Sequence, residues 1–247
     1  MSTDIAPGAS GADLPRPIPP DHHRNVTGGG WLRPALFGAM DGLVSNTSLV
    51  AGIAGGGARA HTVLLGGLAG LAAGAFSMGV GEYTSVQAQG EATQAEIELE
   101  SLELSRRPDL ERAELARAYR ERGLSAELAD QVAAQLMDQP DHGLRVHAQE
   151  ELGVDIDRLP SAWLAAGSSF VAFAIGAVIP LIPYVLGFGL LWPSLVLGAA
   201  GLLAAGAFAS RFTTRTPVYT GMRQLILGAL ATALTYGVGQ AVGTSVN

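Results

Sequence analysis

A long stretch without any charged residue constrains this chain more than any other feature. Between Pro160 and Ser210 the sequence contains no Asp, Glu, Lys or Arg. The hydrocarbon core of a bilayer is about 30 Å thick, and a helix of about 20 apolar residues crosses it. The stretch is therefore long enough for two membrane-spanning helices. Its centre, Ile179 to Pro193, is rich in proline and glycine, which predicts a turn between the two helices.

Three further segments have the same apolar character. Pro34 to Ala54 carries a single charged residue, Asp41. Thr62 to Gly81 carries none, and Met222 to Val242 carries only Arg223. A soluble protein with buried helices is the alternative, but the helices of soluble proteins usually have a polar face. The sequence therefore predicts an all-α membrane protein with five transmembrane helices.

The composition restricts the possible partners of the chain. Hydrophobic residues make up 48% of it and charged residues 15%, and the mean hydropathy is +0.29. There is no cysteine, which excludes disulfides and thiolate metal sites. The net charge of −7 argues against nucleic-acid binding. The lipid bilayer is the partner that this composition predicts.

The positions of the arginines predict the orientation of the helices. All 15 basic residues are arginine, and with five spans only Arg59 falls on the side opposite the others. Because cytoplasmic loops carry the excess of basic residues, the N-terminus is predicted to be cytoplasmic and the C-terminus outside. Residues 1–30 lack a signal-peptide pattern and are predicted to be a disordered cytoplasmic arm. We expect a multi-pass protein of the inner cell membrane.

The segment between the second and third spans is chemically different. From Glu82 to Arg158 it holds 18 of the chain's 22 acidic residues and eight arginines, a net charge of −10. Pro108 is typical of the start of a helix, Gly123 of its end and Ser125 of the cap before the next one. The segment is therefore predicted to be helical. The predicted organisation is a cytoplasmic arm (1–30), two transmembrane helices (31–88), a cytoplasmic acidic helical domain that binds metal (89–158) and three transmembrane helices (159–247).

Several acidic residues of this domain recur at helical spacing. Glu96, Glu100 and Glu103 share one face of a helix, and Glu111 and Glu114 share a face of the next. Like charges at these spacings weaken a helix unless a cation lies between them. Carboxylates and imidazole without thiolates suit Mn²⁺, Fe²⁺, Mg²⁺ or Zn²⁺. The alternative is a solvated acidic face. The candidate metal ligands are Glu96, Glu100, Glu103, Glu111, Glu114, His147, Glu150 and Glu151.

Three motifs resemble one known family. They are ALFGAMDGLVSNTSLVAGIAG in the first span, FSMGVGEYTSVQAQ at the end of the second and HAQEELGVD before the third. All three are similar to the vacuolar iron transporter family, which includes vacuolar iron and manganese importers of plants and yeast and many bacterial members. The resemblance runs from about Trp31 to Val242. The motifs are specific because they occur in the family's order on successive spans.

The resemblance implies an architecture and an activity. It implies a five-helix protomer, a homodimer with its pathway at the subunit interface, and a cytoplasmic metal-binding domain between spans two and three. The implied activity is export of Fe²⁺, often with Mn²⁺, from the cytosol in exchange for protons. The family's membrane aspartate falls on Asp41 and its membrane methionine on Met78.

The resemblance also implies a set of metal ligands in the acidic domain. Besides two pairs of glutamates, a further acidic ligand of the family falls on Glu150 or Glu151, and the sequence does not distinguish the two. One departure concerns His147 and Gln149, which stand where the plant pattern has methionines, so the metal preference stays open. The paired ligands of the family fall on Glu100, Glu103, Glu111 and Glu114.

Asp41 lies within an apolar segment, where a carboxylate is costly. Ionisable residues inside membranes mark ion routes, and a carboxylate that binds either a proton or a metal ion is the minimum requirement for exchange. Met78 offers a thioether, Asn46 a neutral oxygen, and Glu82 a carboxylate at the cytoplasmic end of the second span. The alternatives are a helix–helix hydrogen bond for Asp41 and apolar packing for Met78.

We therefore predict a proton-coupled transporter of divalent metal that exports Fe²⁺, Mn²⁺ or both from the cytosol. Zn²⁺ is a further ion that the ligands suit. The protein is predicted not to be an enzyme, and its metal ions are both the substrate and the ligand of the acidic domain. The alternative function is a membrane-anchored metal sensor or buffer that moves no ion.

Overall fold

The computed structural model describes residues 30–246, and these form helices without any strand. The helices are α1 (Leu32–Gly55), α2 (Ala60–Arg106), α3 (Pro108–Glu121), α4 (Ala126–Leu136), α5 (Pro140–Glu150), α6 (Ala162–Val178), α7 (Ile182–Val185), α8 (Leu191–Ala209) and α9 (Pro217–Val246). Short 3₁₀ turns occupy Ile156–Arg158, Ile179–Leu181 and Ser210–Phe212. The predicted disordered arm lies outside the described residues, except for Gly30.

Five helical segments of the described chain are long and apolar enough to cross a membrane. This confirms the predicted fold class, an all-α membrane protein with five transmembrane helices. Large apolar side chains such as Phe76 and Val238 are exposed on these segments, as expected where helices face lipid. The five segments are Leu32–Gly55, Ala60–Arg106, Ile156–Val185, Leu191–Phe212 and Pro217–Ser245.

α1 is the central helix of the bundle and contacts α2, α6, α8 and α9. Glycines allow its backbone to touch that of α6. A Cβ added at Gly38 would lie 2.6 Å from the carbonyl oxygen of Ser169, and one at Gly42 would collide with the carbonyl of Phe173. Since helices in lipid associate through close packing, these small residues fix the position of α1 against α6.

The connection between the third and fourth spans is shorter than the predicted turn from Ile179 to Pro193. Pro180 and Pro183 begin short helical segments rather than end them. Proline suits the first turn of a helix because its missing N–H has no partner there anyway. Only residues 186–190 lie between helices, and Gly187 there takes a positive φ of +86°.

α2 continues without interruption from the membrane into the acidic segment. It has 47 residues, so it is about 70 Å long at about 1.5 Å per residue. Only its first part, up to Gly81, is apolar, and no acidic residue precedes Glu82 in this helix. Its far end contacts α3 and α5. The second span and the first part of the acidic segment, up to Arg106, are therefore one continuous helix.

The acidic helices α3 to α5 have a small core of their own. α3 and α4 pack against each other, and the chain reverses between them at Gly123, which has a φ of +102°. Ser125 caps α4 by accepting a hydrogen bond from the backbone N–H of Leu128 at 3.3 Å. The buried residues of this core are Leu115, Ala116, Ala129 and Ala133.

Candidate functional site

Three helices bring carboxylates and an imidazole together beyond the apolar part of α2. Glu100 lies on the same face of α2 as Ile97, and both are buried where this helix meets its neighbours. Glu111 stands in the first turn of α3, where the helix dipole favours an acidic residue. His147 and Glu151 are one turn apart at the end of α5. These residues are remote in sequence, and the contacts of α2 with α3 and α5 bring them together.

His147 is the centre of this cluster. Its Nδ1 lies 3.1 Å from Oε1 of Glu100 and 3.3 Å from Oε1 of Glu151. One ligand atom from each of the three residues lies within 4.8 Å of the others. A cation bound at about 2.0–2.2 Å from nitrogen and oxygen ligands fits between atoms so spaced. His147 is 0% exposed and Glu100 7% exposed, so a cation there would be largely removed from water.

The buried polar atoms at this point have no hydrogen-bond partner among the described residues. They are both ring nitrogens of His147 and Oε1 of Glu100. Although the Nδ1 and the carboxylate oxygen are close, they are not oriented for a hydrogen bond. An unsatisfied buried polar group costs about 1–3 kcal/mol, and native proteins leave few of them. Coordination of a cation through Nδ1 would satisfy that nitrogen and the carboxylate oxygen together.

The negative charges of the cluster act on one another. Burial first, and then the charges of Glu151, Glu111, Glu103 and Glu114, raise the pKa of Glu100 from 4.5 to about 7. Burial also raises the pKa of Glu111. The charge of His147 opposes this effect, and the acidic neighbours add to it. Repulsion of this kind favours the binding of a proton or a cation. The cluster is therefore suited to take up positive charge.

Glu150 and Glu151 are adjacent in sequence but have different neighbours. Glu150 forms an ion pair with Arg122 and accepts a hydrogen bond from the hydroxyl of Tyr119 at 3.3 Å. Glu151 lies beside His147 instead. The geometry thus brings Glu151 into the cluster and leaves Glu150 outside it, a distinction that the sequence did not make.

The remaining predicted ligands lie at the margin of the cluster or beyond it. Glu103 and Glu114 are exposed, yet close enough for their charges to act on Glu100. Glu96 is also exposed, but it does not contribute to the raised pKa of Glu100. Glu96 therefore has the surroundings of a solvated surface residue.

Tyr119 and Arg122 are residues of interest that no sequence motif indicated. The guanidinium of Arg122 lies 5.7 Å from the centroid of the Tyr119 ring, and both side chains bind Glu150. Their contact joins the end of α3 to the end of α5. Helical periodicity cannot reveal such a contact, because the residues are about thirty positions apart on different helices.

In the membrane part, Asp41 lies on the face of α1 that points away from the other helices of the bundle. It is half-buried and accepts a hydrogen bond from the hydroxyl of Ser45 at 2.8 Å. The exposed residues of this helix are Arg33, Phe37 and Ser45. Asp41 lies at the same four-residue spacing and therefore on the same face of the helix. The bond to Ser45 is within one helix, so it is not the helix–helix hydrogen bond considered as the alternative for Asp41.

The other predicted pathway residues have different surroundings. Asn46 is buried inside the bundle, where its amide donates to the carbonyl of Ala177 at 2.6 Å while its Oδ1 has no partner among the described residues. Met78 packs against the apolar cluster that contains Ala75 and Phe173. Glu82 is half-buried, one helical turn beyond Met78. Asp41 and Asn46 thus lie on different faces of α1.

The five-span bundle and the Glu–His–Glu cluster, with Glu100 and His147 buried and Glu151 exposed, define a multi-pass membrane protein with a candidate centre for divalent metal. The family model of the VIT family matches residues 32–240, and the chain belongs to this family. This confirms the resemblance inferred from the three motifs.

Curated relatives cover nearly the whole chain. Vacuolar iron transporter 2 of Oryza sativa subsp. japonica is 33% identical over 90% of this chain and 92% of its own length. The vacuolar iron transporter of Acanthamoeba castellanii is 36% identical over 89% of this chain and 82% of its own. Both relatives are described as transporters, and membership of their family confirms that the chain is not an enzyme.

Proposed function

We propose that the protein transports Fe²⁺, Mn²⁺ or both out of the cytosol in exchange for protons. The observation that carries this proposal is the cluster of Glu100, His147 and Glu151. In it both ring nitrogens of the buried His147 and Oε1 of the buried Glu100 have no hydrogen-bond partner among the described residues. The names of the relatives, vacuolar iron transporters, support iron as the substrate.

The acidic segment is the metal-gathering domain in this proposal. Glu100, His147 and Glu151 hold the ion. The carboxylates of Glu103, Glu111 and Glu114 complete its coordination shell or bind a second ion. A domain of residues 89–158 on the cytoplasmic side attracts cations through its negative charge and raises their local concentration. The arginine distribution supports this orientation, with the N-terminus inside and the C-terminus outside the inner cell membrane.

Asp41 is the exchange site of the membrane part. A carboxylate on the outward face of a membrane helix is costly in contact with lipid. A second copy of the chain that covers this face of α1 would remove that cost, which supports a homodimer with the pathway between its subunits. Asp41 binds the metal ion on the cytoplasmic side and releases it when a proton takes its place. Met78 and Glu82 lie toward the cytoplasmic mouth. Asn46, on a different face of α1, offers the neutral oxygen of its amide inside the bundle.

Reconstitution into liposomes tests transport directly. Wild-type protein should carry Fe²⁺ or Mn²⁺ across the bilayer at a rate above that of empty liposomes, measured with a metal-sensitive dye. The same preparation should bind the metal in calorimetry. Tight binding without flux, under a proton gradient of either direction, would reject transport and leave the sensor or buffer function.

A further inference from the structure

We propose that His147 sets the metal preference of the acidic domain, so that the centre takes cations with affinity for nitrogen in preference to Mg²⁺ and Ca²⁺. The favoured class comprises Fe²⁺, Co²⁺ and Zn²⁺, with Mn²⁺ next. This inference rests on the proposed function, because it concerns the ion that the same centre holds.

The position of His147 is the first argument. Its Nδ1 is near a carboxylate oxygen on each side, one on α2 and one on α5. The side chain is completely buried, so water has no access to the ring. An ion that enters between Glu100 and Glu151 must therefore meet the imidazole.

The absence of hydrogen bonds at the ring is the second argument. A histidine buried for structural reasons normally donates or accepts at least one hydrogen bond. Neither ring nitrogen of His147 has such a partner among the described residues. Nδ1, the ring nitrogen that lies between the two carboxylates, is therefore the atom available to a cation.

The chemistry of the donor set gives the direction of the preference. Carboxylate oxygens alone suit Mg²⁺, Ca²⁺ and Mn²⁺, whereas imidazole suits Fe, Zn and the later divalent ions. Affinity at a mixed nitrogen and oxygen site rises from Mn²⁺ through Fe²⁺ to Co²⁺. One imidazole among carboxylates therefore raises the affinity for these ions, while the hard ions gain little from it.

The test compares two histidines of the same helix in the full-length protein in detergent. His147→Asn removes the buried imidazole, and His142→Asn is the matched control because His142 is exposed on α5. Calorimetric titrations with Co²⁺, Mn²⁺ and Mg²⁺ should show a loss of at least about tenfold in Co²⁺ affinity for His147→Asn. The Mg²⁺ affinity of that variant and all affinities of His142→Asn should stay close to wild type.

A spectroscopic measurement on the wild-type protein tests the inference even if the His147 variant does not fold. Pulsed electron paramagnetic resonance of the Mn²⁺-loaded wild-type protein should show coupling to a directly bound imidazole nitrogen. The coupling should persist in His142→Asn and disappear in His147→Asn. Its absence from the wild-type protein would overturn the inference without reference to any variant.

The outcomes separate the two proposals. If the wild-type protein binds none of the three ions, the metal-binding function itself is wrong. If it binds them but His147→Asn keeps the wild-type ratio of Co²⁺ to Mg²⁺ affinity, only the role of His147 is wrong. Loss of affinity for all three ions by the same factor would also reject that role, since it would indicate a general disturbance of the centre.

Discussion

At the scale of single residues, Asp41 stands out because it is the only acidic residue within the apolar segments that the sequence defines. Its one described hydrogen bond comes from Ser45 of the same helix. A carboxylate with so little support in the protomer is costly to keep in a membrane unless it binds something. Its presence there supports the exchange step of the transport proposal.

Replacement of Asp41 should separate transport from binding. Asp41→Ala and Asp41→Asn should both abolish metal flux in liposomes, because neither side chain can exchange a proton for a cation. Calorimetry should give wild-type affinity at the acidic domain, since Glu100 and His147 are untouched. Flux at the wild-type rate in Asp41→Ala would show that the carboxylate has a structural role only.

Glu100 should make the stability of the metal-free protein depend on pH. Its pKa is about 7 in the folded protein and 4.5 without the fold. The folded state therefore holds a proton that the unfolded state has already released, and stability should fall as the pH rises from about 5 through about 7. Thermal unfolding in the presence of a chelator measures this trend.

Glu100→Gln is the variant that tests the assignment. Its side chain is neutral at every pH, so the decrease in melting temperature between pH 5 and pH 8 should be smaller than in the wild type. Glu96→Gln, at an exposed position of the same helix, should keep the wild-type slope. Equal slopes in all three proteins would contradict the role given to Glu100.

Individual site residues were only partly predictable. Helical spacing made Glu100 and Glu111 candidate ligands, and the structure buries both of them. Spacing could not choose between Glu150 and Glu151. Adjacent helical residues point about 100° apart, and the choice depends on how α5 is rotated against α2. That rotation is a property of the packed helices and has no local signal in the sequence.

At the scale of helices, the contact between the ends of α3 and α5 fixes these two helices of the acidic domain relative to each other. Glu150 is mostly buried, and it is held by the guanidinium of Arg122 and the hydroxyl of Tyr119. Because Glu151 is the next residue, this contact limits the rotation of the helix end that carries it. Arg122 and Tyr119 therefore support the proposed metal centre without belonging to it.

Loss of this contact should weaken both stability and metal binding. Arg122→Ala should lower the stability of the domain by about 1 kcal/mol or more, since it removes a charged hydrogen-bond partner. Metal affinity should fall several-fold, and Arg122→Lys should restore part of it. Arg117→Ala is the control, because Arg117 pairs with Glu121 at an exposed position. Wild-type affinity in Arg122→Ala would remove the link between this contact and the centre.

The α1–α6 contact should be sensitive to one added methyl group. A Cβ at Gly42 meets backbone atoms of Phe173 and Ala177, which cannot move aside as a side chain could. Gly42→Ala should therefore lower the melting temperature in detergent, by an amount that corresponds to about 1–3 kcal/mol. Gly167→Ala on α6, where a Cβ meets nothing within 4 Å, should leave it unchanged or higher. Similar effects of the two substitutions would contradict backbone contact at Gly42.

Helix boundaries were more predictable than connections. Pro108 and Ser125 mark the starts of α3 and α4 as their local chemistry requires. The connection from Ile179 to Pro193 was predicted as a turn throughout, although most of it is helical. Proline is compatible both with a turn and with the first turn of a helix, and tertiary packing decides between them.

At the scale of the whole molecule, the proposed exchange would make metal flux depend on the proton gradient. An acidic exterior should speed export, and collapse of the gradient should slow it, because a proton must replace the ion at Asp41. A pH-sensitive dye in the cytoplasmic-equivalent compartment should report acidification as metal leaves it. Metal flux with no signal from the dye would identify a uniporter or a channel and reject the exchange.

Because α2 is unbroken, it holds the candidate site at His147 far from the candidate site at Asp41. The separation exceeds the distance over which charges act on each other in salt solution. From Glu82, where the apolar part of the helix ends, to Glu100 the distance along the helix is about 27 Å at about 1.5 Å per residue. The Debye length at physiological ionic strength is about 8 Å. An ion held at His147 would therefore exert little electrostatic force on an ion that arrives at Asp41. In the proposed mechanism each site would fill according to its own equilibrium. The acidic domain would then act as a reservoir whose filling follows the metal of its own compartment rather than the state of the membrane site.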